Sequence, residues 1–272
     1  MGSKNFTGKV AVITGSSGGI GRAIALELAK KGASIVLNGR NHKKLAESET
    51  EVRKIHDKVI SVCCDISTDE GGQLLINEAI KSFNRIDILV NNAGVSMRGY
   101  MADLKPDIFR TMFDINVLGA VCPTIPAISH LRLTQGSIVF ISSLAGIRGL
   151  PITSAYCSSK MALRALAESL RIEEAKHHLH VGLILVGITE IDEGKESIAA
   201  DGSKIKLVPR RGRGVQSKES VARAVIKNIS KRKFVSVLTT IGKLNAFIQP
   251  RFPMLVERLI LSNMKKFEKG FK

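Results

Sequence analysis

The chain has 272 residues, 44% hydrophobic and 24% charged, which suits one large α/β domain or two small ones and allows a full core. We see no signal or transit pattern, no stretch with the length and purity of a transmembrane helix, and no metal or disulfide spacing among four cysteines, so we expect a cytoplasmic protein. The net charge of +17 is concentrated in residues 203–272, which hold 18 basic and 3 acidic side chains. Because no recognisable nucleic-acid-binding module accompanies this charge, we do not expect a nucleic-acid partner.

Short β-branched apolar runs alternate with longer helical patterns through the first two thirds of the chain. The predicted strands are residues 9–14, 34–38, 59–64, 86–91, 137–142 and 180–186. The first ends at a glycine-rich turn, and the helical pattern of residues 22–31 follows. Such alternation predicts βαβ units. We therefore expect an α/β fold with a single Rossmann-type doubly wound parallel sheet and helices on both faces.

The pattern changes after residue 186. Glycines and scattered charges predict a mobile substrate loop over about 187–216 rather than a sheet element. A helix is predicted over 217–231, with Ser217 as its N-cap, and a last strand over 234–238. Apolar and basic residues interrupted by Pro250 and Pro253 follow. We therefore expect a catalytic domain over 1–240 and a basic, apolar C-terminal extension of the same domain over 241–272.

The glycine-rich turn, TGSSGGIG at 14–21, lies between the first strand and a helix. Glycines allow a tight turn and the approach of a pyrophosphate to backbone N–H groups at the helix N-terminus. This position predicts a dinucleotide site. After the second strand the sequence is Leu37-Asn38-Gly39-Arg40, without the carboxylate that would accept from a ribose 2′-hydroxyl. Arg40, with Lys43 nearby, predicts a preference for the 2′-phosphate of NADP(H).

Tyr156 and Lys160 are four residues apart in a helical pattern and therefore share a face. An ammonium about 4 Å from the phenol would bring its pKa down from ~10 towards the neutral range, where acid–base catalysis is efficient. Ser143, at the end of a strand, would hydrogen-bond the substrate oxygen. Together they predict a proton donor, Tyr156, that acts on a carbonyl or alcohol group.

The chain also contains Asp65, NNAG at 91–94, Asn116 and the YCSSK motif at 156–160. Together with the motifs above, these residues resemble the classical short-chain dehydrogenase/reductase family over about residues 7–240. The resemblance implies an Asn116–Ser143–Tyr156–Lys160 catalytic tetrad, no metal, and a homodimer or homotetramer formed through the helices of Asn116 and Tyr156. Asn116 would bind a water that links Lys160 to solvent. The family usually has Pro-Gly where this chain has Val186-Gly187. The expected cofactor-binding residues are Gly15, Ser17, Gly19, Ile20, Gly21, Arg40, Asp65, Ile66, Asn92, Ala93, Gly94, Tyr156, Lys160 and Thr189.

The expected activity is NADPH-dependent reduction of a bulky apolar or lipid-like ketone, or the reverse oxidation. The alternatives are a non-catalytic NADP(H)-binding sensor or scaffold, against which the intact tetrad argues, and a lipid-surface or nucleic-acid adaptor, suggested only by charge. Residues 244–272 combine apolar and basic side chains. They are compatible with peripheral membrane contact, with a subunit contact, or with closure of the substrate pocket.

Overall fold

A seven-stranded parallel sheet forms the centre of the computed structural model, which describes residues 5–210, 212 and 214–269. Its topology is the doubly wound order that the alternating pattern predicts, so the expected fold class is confirmed. Numbered along the chain, the strands lie across the sheet in the order β3 (Val59–Cys63), β2 (Ser34–Gly39), β1 (Val10–Ile13), β4 (Ile88–Asn91), β6 (Ser137–Ser143), β7 (His180–Val186) and β10 (Val235–Val237).

Helices cover both faces of this sheet because its strands are apolar on both sides. In β1, Ala11 and Ile13 pack with one layer of helices, and Val10 and Val12 pack with the other. The first layer contains α1 (Gly19–Ala29), α2 (His42–Arg53) and α7 (Lys218–Ser230). The second contains α3 (Asp69–Phe83), α5 (Gly119–Thr134) and α6 (Ser154–Glu173).

The helix α4 (Pro106–Phe113) continues through a π-helical turn, Asp114–Leu118, into α5. The continuous stretch Pro106–Thr134 is long and apolar enough to cross a membrane by length and composition, contrary to our expectation that no stretch would be. Ala120, Ala127 and Leu131 nevertheless belong to the core beneath the sheet. In this fold one face of the stretch packs beneath the sheet while other parts of it are exposed, and the stretch is this long because three elements join end to end.

The region after β7 is structured, so our expectation of a loop without sheet elements is wrong. It contributes β8 (Glu196–Ala199) and β9 (Lys204–Lys206) to a small sheet beside β5 (Met97–Arg98). The side chain of Met97 is fully buried in a cluster packed against Ile198. Pairing with a distant strand and burial of this cluster give the segment its structure. Arg211 and Arg213 of the basic run lie outside the described residues.

The C-terminal extension forms three short helices, α8 (Thr240–Ile248), α9 (Pro253–Ser262) and α10 (Met264–Lys269). Pro253 begins α9 rather than interrupting it, since a proline at the first helical position gives up no helical hydrogen bond. Arg148 joins the extension to the body by donating to Gln249 Oε1, to the Pro253 carbonyl and to Glu257, all within 2.9 Å. Residues 270–272 lie outside the described part of the chain.

Candidate active site

The glycine-rich turn joins β1 to α1 at the carboxyl edge of the sheet. Gly15 and Gly19 have φ of +61° and +57°, a region that favours glycine. At Gly21 a Cβ would lie 2.4 Å from the Gly15 carbonyl oxygen, so only glycine lets the helix pack this close to the turn. Asn92 fixes the neighbouring strand end by donating to the Thr14 and Gly15 carbonyls at 2.9 and 3.1 Å. The result is a tight turn with backbone N–H groups at the start of α1, a geometry that fits a pyrophosphate.

A cleft with a volume of about 1100 Å³ runs from this turn to the N-terminal part of α6. It brings together thirteen of the sixteen residues that the sequence analysis assigned to the site. They are Gly15, Ser17, Gly19, Ile20, Arg40, Asp65, Ile66, Asn92, Ala93, Gly94, Ser143, Tyr156 and Lys160. Gly21 and Asn116 do not line this cleft, although each packs directly against residues that do. Thr189 is the third residue that does not line it.

Thr189 is buried, and its hydroxyl donates to the Gly187 carbonyl at 3.3 Å. Its neighbours Val186, Gly187 and Ile188 line the cleft instead. The backbone of this turn therefore reaches the site, as the sequence suggested, while the Thr189 side chain points into the protein. Contact between residue 189 and a nicotinamide carboxamide stays a prediction.

The N-terminus of α1 already holds an anion from the protein itself. The N–H of Gly19 donates to Asp192 Oδ2 at 2.7 Å, and the same carboxylate pairs with Lys218. Burial alone would raise the pKa of Asp192, but the Lys218 ammonium and the Gly19 N–H hold it below its usual value. Asp192 thus demonstrates that the turn accepts negatively charged oxygens. The sequence analysis missed it, since 173 residues separate it from Gly19.

Arg40 follows directly after β2 and is exposed at the adenosine end of the cleft. Its guanidinium lies 3.3 Å from Asp65 Oδ2. Burial works against ionisation of Asp65, but hydrogen bonds from Ser67 and Arg40 hold the pKa of its carboxyl below the usual value. Lys44 lines the cleft here, whereas Lys43, which the sequence analysis selected as a helper, does not. No carboxylate occupies the strand end itself, where Asn38 is buried and bonded to the turn.

The catalytic residues meet where β6 ends and α6 begins. Lys160 is 5% exposed and donates from Nζ to the Ile141 carbonyl at 3.0 Å. That ammonium lies 5.9 Å from the centre of the Tyr156 ring. Ser143 and Tyr156 line the same part of the cleft, and the Ser143 hydroxyl hydrogen-bonds the phenol. The helical spacing therefore places both side chains on one face, as predicted.

The electrostatics of Tyr156 differ from the sequence-based expectation. Burial raises the pKa of the phenol above 10, although the Ser143 hydrogen bond and the charges of Arg98 and Arg210 act to lower it. Burial lowers the pKa of Lys160 from 10.5 to about 8, with a smaller effect from the charge of Lys195. Lys160 is not among the groups that lower the pKa of Tyr156, and burial makes the Lys160 ammonium itself costly to charge.

Asn116 lies in the π-helical turn and is buried. Its amide oxygen accepts from the N–H of Val95 at 2.8 Å, and its amide nitrogen donates to the Val95 carbonyl and to Ser159 Oγ. A Cβ on Gly94 would lie 2.9 Å from Asn116 Oδ1 and 3.2 Å from Lys160 Nζ, so the three groups are close together. Asn116 thus connects the end of β4 to α6 directly behind Lys160. π-turns of this kind are frequent at functional sites.

The C-terminal helices form the apolar end of the cleft, which the sequence did not specify. Ile241, Leu244, Ile248, Leu255, Leu259 and Ile260 line it, with Leu207 from the segment after β9. Of the three roles considered for the extension, closure of the pocket is the one that the geometry displays. The cleft therefore has a polar dinucleotide end, a catalytic centre and an apolar end.

Comparisons with known proteins agree with this geometry. Residues 9–201 match the short chain dehydrogenase family model. The chain is 35% identical over 237 residues to a 3-dehydrosphinganine reductase from Danio rerio, which covers 85% of this chain and 71% of the relative. It is 32% identical over 271 residues to dehydrogenase/reductase SDR family member 7B from Bos taurus, covering 96% and 83%.

A solved structure shares the fold. A short chain dehydrogenase/reductase from Burkholderia phymatum in complex with NAD superposes with a TM-score of 0.81 at 23% identity, covering 93% of this chain and 96% of that one. The chain belongs to the short-chain dehydrogenase family, as its motifs indicated. It is an oxidoreductase of this family.

Proposed function

We propose that the chain uses NADPH to reduce a bulky apolar or lipid-like ketone to a secondary alcohol. The observation that supports this is the single cleft in which Tyr156 and Ser143 lie between the dinucleotide turn and the apolar wall of α8 and α9. The relative from Danio rerio is named for a long-chain lipid substrate, which agrees with an apolar end of this size. A protein that only senses the cofactor would have no use for this catalytic set.

The reaction needs a proton donor beside a hydride donor. The glycine-rich turn and Arg40 would hold NADPH, which would supply the hydride for the carbonyl carbon. Ser143 holds the carbonyl oxygen, and Tyr156 gives that oxygen its proton from the phenol hydroxyl. A phenol whose pKa is raised by burial is fully protonated at neutral pH and is therefore ready to donate. Lys160 and Asn116, behind the tyrosine, would return a proton to it, Asn116 through a bound water.

The cofactor preference rests on Arg40. Arg40 lines the cleft directly after β2, from where its guanidinium would bind a 2′-phosphate, whereas a carboxylate in its place would repel that group. For Arg40→Ala we expect kcat/KM with NADPH to fall about 10- to 100-fold, the effect of losing a charge-assisted hydrogen bond, while kcat/KM with NADH changes little. Lys43→Ala, an exposed charge outside the cleft, is the matched control. A wild type that prefers NADH would refute the assignment.

The apolar end also faces outward. Phe252 and Leu261 are 57% and 62% exposed on α9 and its approach, beside Arg251 and Arg258. We propose that this surface rests on an anionic membrane, from which a lipid-like substrate enters between α8 and α9. Phe252→Glu and Leu261→Glu should each reduce co-sedimentation with phosphatidylserine vesicles. Ile55→Glu, at an exposed apolar residue that follows α2 and lies outside the extension, should not. Equal sedimentation of all variants would refute membrane contact.

For assembly we propose a homodimer or homotetramer through the helices that carry Asn116 and Tyr156. Ile125 and Leu133 on α5, and Met161 and Ile172 on α6, are large apolar side chains exposed on these helices. Light scattering coupled to size exclusion tests this proposal. A mass of one chain, 29.5 kDa, at micromolar concentration would contradict it.

A further inference from the structure

Two arginines line the cleft beside the catalytic tyrosine. Arg98 comes from β5 and Arg210 from the segment after β9, so the small sheet brings them to the same side of the site. Both are partly buried rather than extended into solvent. Each is close enough to Tyr156 for its charge to lower the pKa of the phenol, and the charge of Arg210, after burial, lowers the pKa of Arg98. Arg98, Arg210 and Tyr156 therefore line the same cleft within electrostatic reach of one another.

Neither guanidinium has an ion-pair or hydrogen-bond partner within residues 5–210, 212 and 214–269. None of the carboxylates that line the cleft pairs with either arginine in that part of the chain. Asp192 is paired with Lys218 and the α1 N-terminus, Asp65 is paired with Arg40, and Glu193 is exposed and forms no ion pair. Arg148, also on the cleft, shows the contrast because its guanidinium makes three hydrogen bonds.

An arginine held partly out of water without an acceptor costs free energy in the unliganded protein. That cost is recovered when an anion binds, because a guanidinium matches a carboxylate or a phosphate with two parallel hydrogen bonds. Lys195, which also lines the cleft, adds to the positive potential. The cleft thus offers an anion subsite near the proton donor, in addition to its apolar wall.

We propose that the substrate is an anionic amphiphile, a ketone or alcohol with an apolar chain and a carboxylate or phosphate near the reacting carbon that Arg98 and Arg210 bind. This inference rests on the proposed reductase function and names its substrate class. The apolar chain would lie along Leu244, Leu255 and Leu259, with the charged group at Arg98 and Arg210.

The same charges disfavour a cationic substrate. 3-Dehydrosphinganine, for which the relative from Danio rerio is named, carries an amine that is protonated at neutral pH. An ammonium beside two unpaired guanidinium groups is repelled, and like charges of this kind give strong discrimination between substrates. On this inference the chain accepts an anionic head group in preference to a cationic one.

Binding of simple amphiphiles tests the subsite without turnover. Calorimetry on the full chain would compare decanoate, decyl phosphate, decan-1-ol and decylammonium, which share one chain length. We expect the two anions to bind at least about tenfold more tightly than the alcohol and decylammonium to bind most weakly. The tighter of the two anions identifies the head group. Equal binding of all four probes would overturn the inference.

Variants locate the effect. Arg98→Gln and, separately, Arg210→Gln should each reduce the preference for anion over alcohol about 10- to 100-fold. Arg110→Gln is the control. It removes an arginine whose side chain is 75% exposed on α4, and it should leave the preference unchanged. Two separate variants keep the test informative if one fails to fold. A phosphate bound at the glycine-rich turn instead would bind equally to wild type and both variants, which would also overturn the inference.

Different results would refute the reductase activity and the anion subsite. Absence of NADPH oxidation with every ketone, including neutral decan-2-one, would refute the reductase while the affinities for the amphiphiles keep their order. Turnover of decan-2-one with no preference for anionic ketones would refute the anion subsite while the reductase stands.

Discussion

Replacement of Lys160 by methionine should change how the stability of the protein depends on pH. Burial lowers the pKa of Lys160 from 10.5 to about 8. Between these two values the unfolded chain binds a proton that the folded chain has lost, so the free energy of unfolding rises with pH over this window. At 1.36 kcal/mol per pKa unit, the charged form in the folded protein costs about 3 kcal/mol below pH 8. Methionine has a similar length and no charge, so Lys160→Met removes the cost.

The assay is urea unfolding of wild type and Lys160→Met at pH 7 and at pH 10. The variant also loses the hydrogen bond to the Ile141 carbonyl, but that loss is the same at both pH values and cancels from the comparison. We expect the stability of the variant relative to wild type to fall by about 3 kcal/mol from pH 7 to pH 10. Lys227→Met removes an exposed lysine from α7 and serves as the control. A difference that is constant with pH would refute the burial of a titrating amine at this position.

Two further predictions concern contacts that the structure revealed. Asp192→Asn keeps the size of the side chain but removes its charge, so the side chain competes less with a pyrophosphate for the Gly19 N–H and releases Lys218. The Kd for NADP⁺, measured by calorimetry, should therefore fall several-fold. Weaker binding of NADP⁺ by the variant would contradict this competition. Arg148→Met removes the three hydrogen bonds that hold α8 and α9 to the rest of the protein. We therefore expect KM to rise about tenfold for a long-chain ketone and to change little for butanone. Equal changes of KM for both ketones would exclude a role of the α8 and α9 wall in substrate binding.

The central sheet was predictable because the sequence patterns that predict its strands are local. Each β-branched run ends near a turn, and strand ends of parallel strands meet at one edge, so the positions of the glycine-rich turn, Arg40, Ser143 and Tyr156 followed from sequence order. The spacing of Tyr156 and Lys160 also fixed their common helix face. What the spacing could not give was the depth of burial, which reverses the direction of the Tyr156 pKa.

The rest of the site depends on contacts between distant segments. β8 and β9 form because they pair with one another and with a two-residue strand about a hundred residues earlier, and neither has a strong periodic pattern of its own. Asp192 and Arg148 are single charged residues in irregular segments, and no local rule distinguishes them from exposed charges. The apolar stripe of residues 244–260 was visible in the sequence, but three kinds of partner fitted it equally well, and only the fold places it on the cleft.

The central claim is that Tyr156 donates the proton in a hydride-transfer reduction. It is tested most directly by single-turnover oxidation of NADPH with decan-2-one in wild type and Tyr156→Phe, with NADPH binding followed by its fluorescence. Loss of a positioned general acid should slow the variant about 10²- to 10⁴-fold while it still binds NADPH. A variant that binds NADPH and reduces the ketone within a few-fold of the wild-type rate would contradict this mechanism.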